Sequence, residues 1–145
     1  MSAAEIFNIA NTVAMVTWLA LIVARFVPPL RRWIDPIAGY VVPALLAVVY
    51  LHLLGPGALD VLKNNSFSSL AGVTALFADP NALVGGWVHF LAFDLFVGGW
   101  IAREGTAMKI SAFILTPILL LTFMFGPAGF LVFLLLRTAL IGRTK

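Results

Sequence analysis

Few side chains in this sequence can move a proton, and the most telling of them lies where charge is costly. Asp94 stands near the centre of residues 83–104, LVGGWVHFLAFDLFVGGWIARE, an apolar stretch that also holds His89. About 20 such residues cross a bilayer. An ionised carboxylate at mid-membrane costs at least ~2.5 kcal/mol, so acids there are rare and face protein or water. Held neutral, Asp94 could donate a proton as a general acid. It could equally lock helices together through hydrogen bonds. The chain has two histidines, His52 and His89, the candidates for a partnering base. At 100° per residue, His89 lies ~140° around the helix from Asp94, so the two do not share a face. A helix-bridging role for His89 is therefore the plainer expectation, and His52 would have to reach in from another helix.

Other candidates are contact residues. Asn8, Asn11 and Thr12 share a face at helical spacing, as interhelical hydrogen-bond formers or as a polar wall of a ligand cavity. Trp87, Phe90, Phe93, Phe96 and Trp100 ring the central stretch. Most are expected to pack or meet lipid, while Trp87 and Phe90 are candidates to line a slot for a flat apolar ligand. Gly126, opening the Gly126-Pro127-Ala128-Gly129 break, is a further candidate, because an opened helix presents backbone groups. Without cysteine there is no thiolate nucleophile, disulfide or cysteine-ligated metal. No HExxH, P-loop or GxSxG occurs, and no metal or cofactor is expected.

Composition says what must carry these residues. Of 145 residues, 62% are hydrophobic and 10% charged, and mean hydropathy is +1.07. A soluble domain is nearer half apolar and a quarter charged. The reading is an all-α membrane protein, a single transmembrane domain over residues 1–145, forming a four-helix bundle. The net charge of +3 comes from basic residues flanking apolar runs, which fits membrane-span borders and argues against nucleic acid. A multi-pass integral membrane protein is expected. No basic residue precedes the first apolar run, so that run reads as a permanent span and not a cleavable signal.

Spans are predicted over residues 6–27, 37–54, 83–104 and 112–136. Pro28-Pro29 ends the first, with Arg31, Arg32 and Trp33 as an interfacial anchor; Pro43 kinks the second. Residues 67–78 predict a short interfacial helix with an apolar stripe of Phe67, Leu70, Val73, Leu76 and Phe77, capped by Ser66. Gly85, Ala92 and Gly99 recur every seven residues, giving the third span one face that a neighbour can approach closely. The fourth is read as one bent span, because neither half is long enough to cross alone; a re-entrant hairpin is the lesser alternative. Four spans put both termini on one side. The basic residues divide five against four, and the first helix sets a lean to termini outside the cytoplasm. The polar groups then fall in one half of the membrane, which suggests one cavity floored by Asp94 and lidded by the 67–77 segment.

FSSLAGVTALFADPNALVGGWVHFLAFDLFVGGWIARE followed by LTFMFGPAGFLVFLLLR resembles the plant plastid neoxanthin-synthase family, named for abscisic acid deficiency, and its small bacterial relatives. The strings WVHFLAFDLFVG and FGPAG, in that order, are its specific part, and the likeness covers nearly the whole chain. Glu104 stands where the family more often has Asp. The resemblance implies a four-span protein linked to xanthophyll metabolism, with a carotenoid-like lipid as ligand. In plants the family is needed for opening an epoxide to an allenic alcohol, an isomerisation that needs an acid at the oxygen and a base at a vinylic proton. The reading is an isomerase of such a lipid, with Asp94 as acid and His89 or His52 as base, or a noncatalytic carotenoid-binding protein or partner subunit.

Overall fold

A computed structural model describes residues 1–55 and 67–142. Among these residues the secondary structure is helical throughout. Helix α1 spans Ala3–Phe26, opened by a capping box in which the Ser2 and Glu5 side chains satisfy each other's backbone N–H groups. Only Val27 separates it from α2, Pro28–Pro36. The two prolines therefore do more than end α1. They occupy the first positions of the next helix, where the missing N–H costs nothing. The expected start at residue 37 is thus too late. A continuous helical run covers Pro28–Leu54, through a π turn at Ile37–Val41 and then α3, Val42–Leu54. In a regular helix the Pro43 ring would strike the carbonyl four residues back. The extra residue in the π turn immediately before Pro43 relieves that conflict without breaking the run.

A short helix, α4, spans Leu70–Leu76, with Ser69 capping Gly72 N–H at 3.1 Å. The Ser66 cap lies outside the described residues. Helix α5, Pro80–Ala107, is the longest; Asp79 caps it through Ala82 N–H at 2.9 Å, and Pro80 takes its first position. It is longer at both ends than the sequence suggested. Helices α6, Ala112–Phe125, and α7, Pro127–Gly142, complete the fold.

Everything else packs around α5. Its small-residue face meets the Pro28–Leu54 run, as the seven-residue spacing requires. Gly85 lies against Tyr50 and Leu53, and a Cβ on Gly99 would come within 2.6 Å of the Gly39 Cα, in the π turn. Helix α1 runs parallel to α5 on a second face: Asn11 meets Trp87, Trp18 lies over Gly98, and Arg25 meets Ala102. Ala14, Leu21, Val88, Leu95 and Ile101 are buried in the core.

The fourth predicted span is where the structure differs most. Leu115 of α6 packs on Gly105, and Gly126 sits beside Asp94, so α6 runs antiparallel to α5. The chain then reverses. Trp100 meets the Phe130 and Phe133 rings at 5.9 and 5.3 Å, and Arg137 Nε donates to Glu104 Oε1 at 2.9 Å. Helix α7 therefore returns parallel to α5 and covers the same half of it. Residues 112–136 form a helical hairpin, not one bent span. The turn is Gly126, at φ +29°, a backbone glycine tolerates best. Pro127 cannot continue α6 but starts α7 readily. Gly129 lets the arms touch, since a Cβ there would fall 2.6 Å from the Thr122 Cα. At 1.5 Å per residue the arms are roughly 21 and 24 Å long, short of the ~30 Å hydrocarbon layer. Three helical runs, Ala3–Phe26, Pro28–Leu54 and Pro80–Ala107, are long and apolar enough to cross a membrane.

The hairpin also redistributes charge. Arg25, Arg31, Arg32, Arg103, Lys109 and Arg137 all lie at the end of the bundle where α1 and α5 finish, with Asp35 and Glu104. Among the described residues the opposite end carries Glu5 and Asp79 and no Lys or Arg. Among the described residues the near-even division of basic charge expected for four spans is not found, and the start of α1 and the end of α7 lie at opposite ends of the bundle. Reporter fusions to the two chain ends are expected to report opposite compartments, the carboxyl-terminal one in the cytoplasm with the arginines; fusions that agree would contradict this topology.

Candidate functional site

Trp87, Phe90 and Asp94 fall at i, i+3 and i+7 on α5 and so share one face. Helix α1 supplies the opposing side. Trp87 Nε1 donates to Asn11 Oδ1 at 2.9 Å, and the Phe7 ring lies 5.9 Å from the Trp87 ring. Phe90 stacks on Trp87 at 5.8 Å. The indole N–H is thus satisfied while its ring stays outward, with Trp87 and Phe90 about 40% exposed. Seven residues of helix, roughly 10 Å, separate Trp87 from Asp94. There the hairpin turn closes the face: a Cβ on Gly126 would lie 3.0 Å from the Asp94 carboxyl carbon. One Asp94 oxygen is buried without a hydrogen-bond partner. Burial of an unsatisfied carboxyl oxygen is costly. Asp94 thus keeps a hydrogen-bonding position that the described residues do not fill.

Of the residues singled out from sequence, Asn11, Trp87, Phe90, Asp94 and Gly126 come together along this face. The other three do not join them. His89 is exposed on another side of α5, its ring 5.4 Å from that of Tyr50 and 4.7 Å from that of Phe93. His52 lines a separate groove of about 660 Å³ between α1 and α3, with Ile6, Ala10, Leu46 and Val49. Asn8 is exposed beside Thr12, whose hydroxyl donates to the Asn8 carbonyl at 2.8 Å. One cavity uniting all these groups is therefore not what the chain builds. The Pro28–Leu54 run turns His52 toward α1, and the hairpin carries Gly126 only to the level of Asp94. Phe77, just after α4, packs against Gly86 of α5, which sets that segment beside the aromatic face.

A second polar centre was not read from the sequence. Arg25, one of the basic residues at the ends of the apolar runs, is 1% exposed. Its guanidinium pairs with Asp35 and donates to the Leu21 carbonyl at 3.2 Å, the Ala102 carbonyl at 3.0 Å and the Thr106 hydroxyl at 2.9 Å. Arg31 donates to the carbonyls of Ala24, at 3.0 Å, and Arg25. Arg103 reaches the Asp35 carbonyl at 3.5 Å and stacks on Tyr40 at 4.4 Å. A signal was present: Asn11, Trp18 and Arg25 recur every seven residues on α1. The face that holds the first two toward α5 must hold the third there as well.

This is a helical bundle of membrane-spanning composition, with an acid at the depth of a helix break and an aromatic face leading to it. The sequence profile of the ABA DEFICIENT 4-like family matches residues 5–133, and the chain belongs to that family, in agreement with the neoxanthin-synthase resemblance. No curated protein matches the chain, and no solved structure does.

The Arg25–Asp35 pair makes a stability prediction. Removing one member leaves a buried, unpaired charge, so Arg25→Gln or Asp35→Asn is expected to cost about 3–5 kcal/mol. Replacing both, as Arg25→Met with Asp35→Leu, is expected to recover most of that loss. Thermal unfolding in detergent of the two single variants and the double variant checks this; a double variant no better than the worse single one would refute it.

Proposed function

We propose that this protein is a multi-pass membrane protein of the neoxanthin-synthase type, of a bacterial inner membrane, that takes a carotenoid-like lipid along the α1–α5 aromatic face. The single observation that carries the reading is Asp94, with its unpartnered buried oxygen, at the inner end of that face. A flat polyene suits the outward Trp87 and Phe90 rings. An oxygen on its terminal ring would meet the acid where α6 and α7 turn. The fold leaves this face open to lipid on the side of Asp94 away from the hairpin, and the 67–78 segment beside Gly86 would cover its outer end.

The chemistry that fits is isomerisation of a ring epoxide. Asp94, in its acid form, protonates the epoxide oxygen as the carbon–oxygen bond breaks. The Asp94 carboxylate left by that transfer then takes the proton of the neighbouring chain carbon, regaining its acid form, as the bonding pair of that carbon forms the second double bond of an allene. Atoms and electrons balance without a cofactor. The second reading, a noncatalytic carotenoid-binding protein, is favoured by one feature: neither histidine shares the Asp94 face, so among the described residues that face carries no second titratable group to act as base.

Asp94→Asn separates the two. The protein is expressed in cells that make an epoxy-xanthophyll, purified in mild detergent, and its pigment identified. The catalytic reading expects pigment bound by both forms and conversion reduced at least ~100-fold in the variant, the scale of a lost general acid. Bound but unconverted pigment in both forms supports the binding reading. Absence of pigment from the wild type, or equal pigment after Trp87→Ala with Phe90→Ala, would refute the proposed face.

A further inference from the structure

Three arginines, Arg25, Arg31 and Arg103, lie near one another at one end of the bundle, and of these Arg25 alone meets a carboxylate. Asp35 satisfies Arg25. Arg31 and Arg103 are half-buried and have no carboxylate partner among the described residues. Arg31 spends two of its nitrogens on carbonyls. Arg103 has one hydrogen bond, long at 3.5 Å, and is otherwise held over the Tyr40 ring with its Nη1 against Gly39. That packing fixes the fork in place while leaving most of its donors unused. Two positive charges therefore remain unneutralised at the edge of the apolar layer, where desolvation makes an unpaired charge expensive. A planar, fixed guanidinium fork is shaped for a phosphate's oxygens. The anion available at that depth, in the leaflet that covers this end, is the phosphodiester of a lipid headgroup.

We propose that Arg31 and Arg103 bind the phosphate of an anionic phospholipid seated between α2 and α5. The acyl chains then run along the apolar outer surface of the Pro28–Leu54 run, where Ile37, Tyr40 and Val41 are exposed.

The test uses the full chain in nanodiscs of phosphatidylcholine, with and without an equal share of phosphatidylglycerol, read by thermal unfolding. The mixed lipid is expected to raise Tm by about 5 °C. Arg103→Gln and Arg31→Gln should each lose most of that rise. Arg32→Gln removes the same charge from an exposed side chain that lies over Trp33, and should keep it. If Arg103→Gln does not fold, Arg103→Lys carries the test: a lone ammonium should at least halve the rise, and an undiminished rise overturns the proposal. No rise in the wild type, an equal loss in Arg32→Gln, or the same rise from inorganic phosphate added to phosphatidylcholine discs would each overturn it.

Discussion

A helix broken inside an apolar layer must find partners for the backbone groups it frees, and in this protein that requirement falls on the turn at Gly126. The hairpin meets it along the chain, Gly126 N–H donating to the Thr122 carbonyl at 2.8 Å and the Gly126 carbonyl accepting from Phe130 N–H at 3.2 Å. Its neighbour in space is the Asp94 carboxyl group, itself costly at that depth unless it meets protein or a ligand. The two costly features are placed against each other, at the middle of the longest helix. That arrangement sets the depth at which α6 must stop and α7 begin. It also determines which part of α5 is covered by protein and which is left exposed.

The rest of α5 makes this placement possible. Gly85, Ala92 and Gly99 let the Pro28–Leu54 run lie close along one side, and Gly98 admits the Trp18 ring on another. Gly105 gives Leu115 room where α6 enters. At the end where the hairpin arms emerge, Arg25 ties α1, α2 and α5 together through Asp35, Ala102 and Thr106. Arg137 ties α7 to Glu104 there as well. In lipid the hydrophobic effect does not drive helices together, so close small-residue contacts and polar ties of this kind hold the bundle. The opposite end relies on lighter contacts, the Asn11–Trp87 hydrogen bond and aromatic packing. The protein is thus tied most firmly at one end and opens toward lipid at the other.

Much of this was legible in the sequence. The central place of α5 comes from its acid and its seven-residue run of small side chains, and the break at Gly126 from glycine and proline chemistry. The path of the chain beyond that break was not legible. Gly-Pro-Ala-Gly permits either a bend or a reversal, and the choice rests on contacts far apart in sequence: Trp100 with Phe133, Gly129 against Thr122 across the turn, Glu104 with Arg137. One bent span would put Arg137 at the opposite end of the bundle from Glu104, and would change with it the charge balance that orients the molecule. Arg25 was misread for a related reason. Near a helix end an arginine usually reaches out to headgroups. The seven-residue register with Asn11 and Trp18 turns this one toward α5, and the partner Asp35, brought back by the proline-started turn, completes its inward position. The Asp94 face was partly visible, since Trp87, Phe90 and Asp94 share a helical register. That His89 stays off this face follows from its ~140° offset around α5, whereas the position of His52 depends on how α3 is rotated against α1 and α5, which local spacing does not specify.

The reversal at Gly126 underlies the depth of the acid, the open aromatic face and the charge distribution together, and cross-linking tests it directly. The chain has no cysteine, so pairs can be introduced on a clean background in native membranes. With Glu104→Cys and Arg137→Cys, a short bis-maleimide is expected to form an intramolecular cross-link, detected by mass, while Leu83→Cys with Arg137→Cys gives none. A single bent span would place residue 137 near the start of α5, so cross-linking to position 83 and not to position 104 would contradict the hairpin and the site built on it.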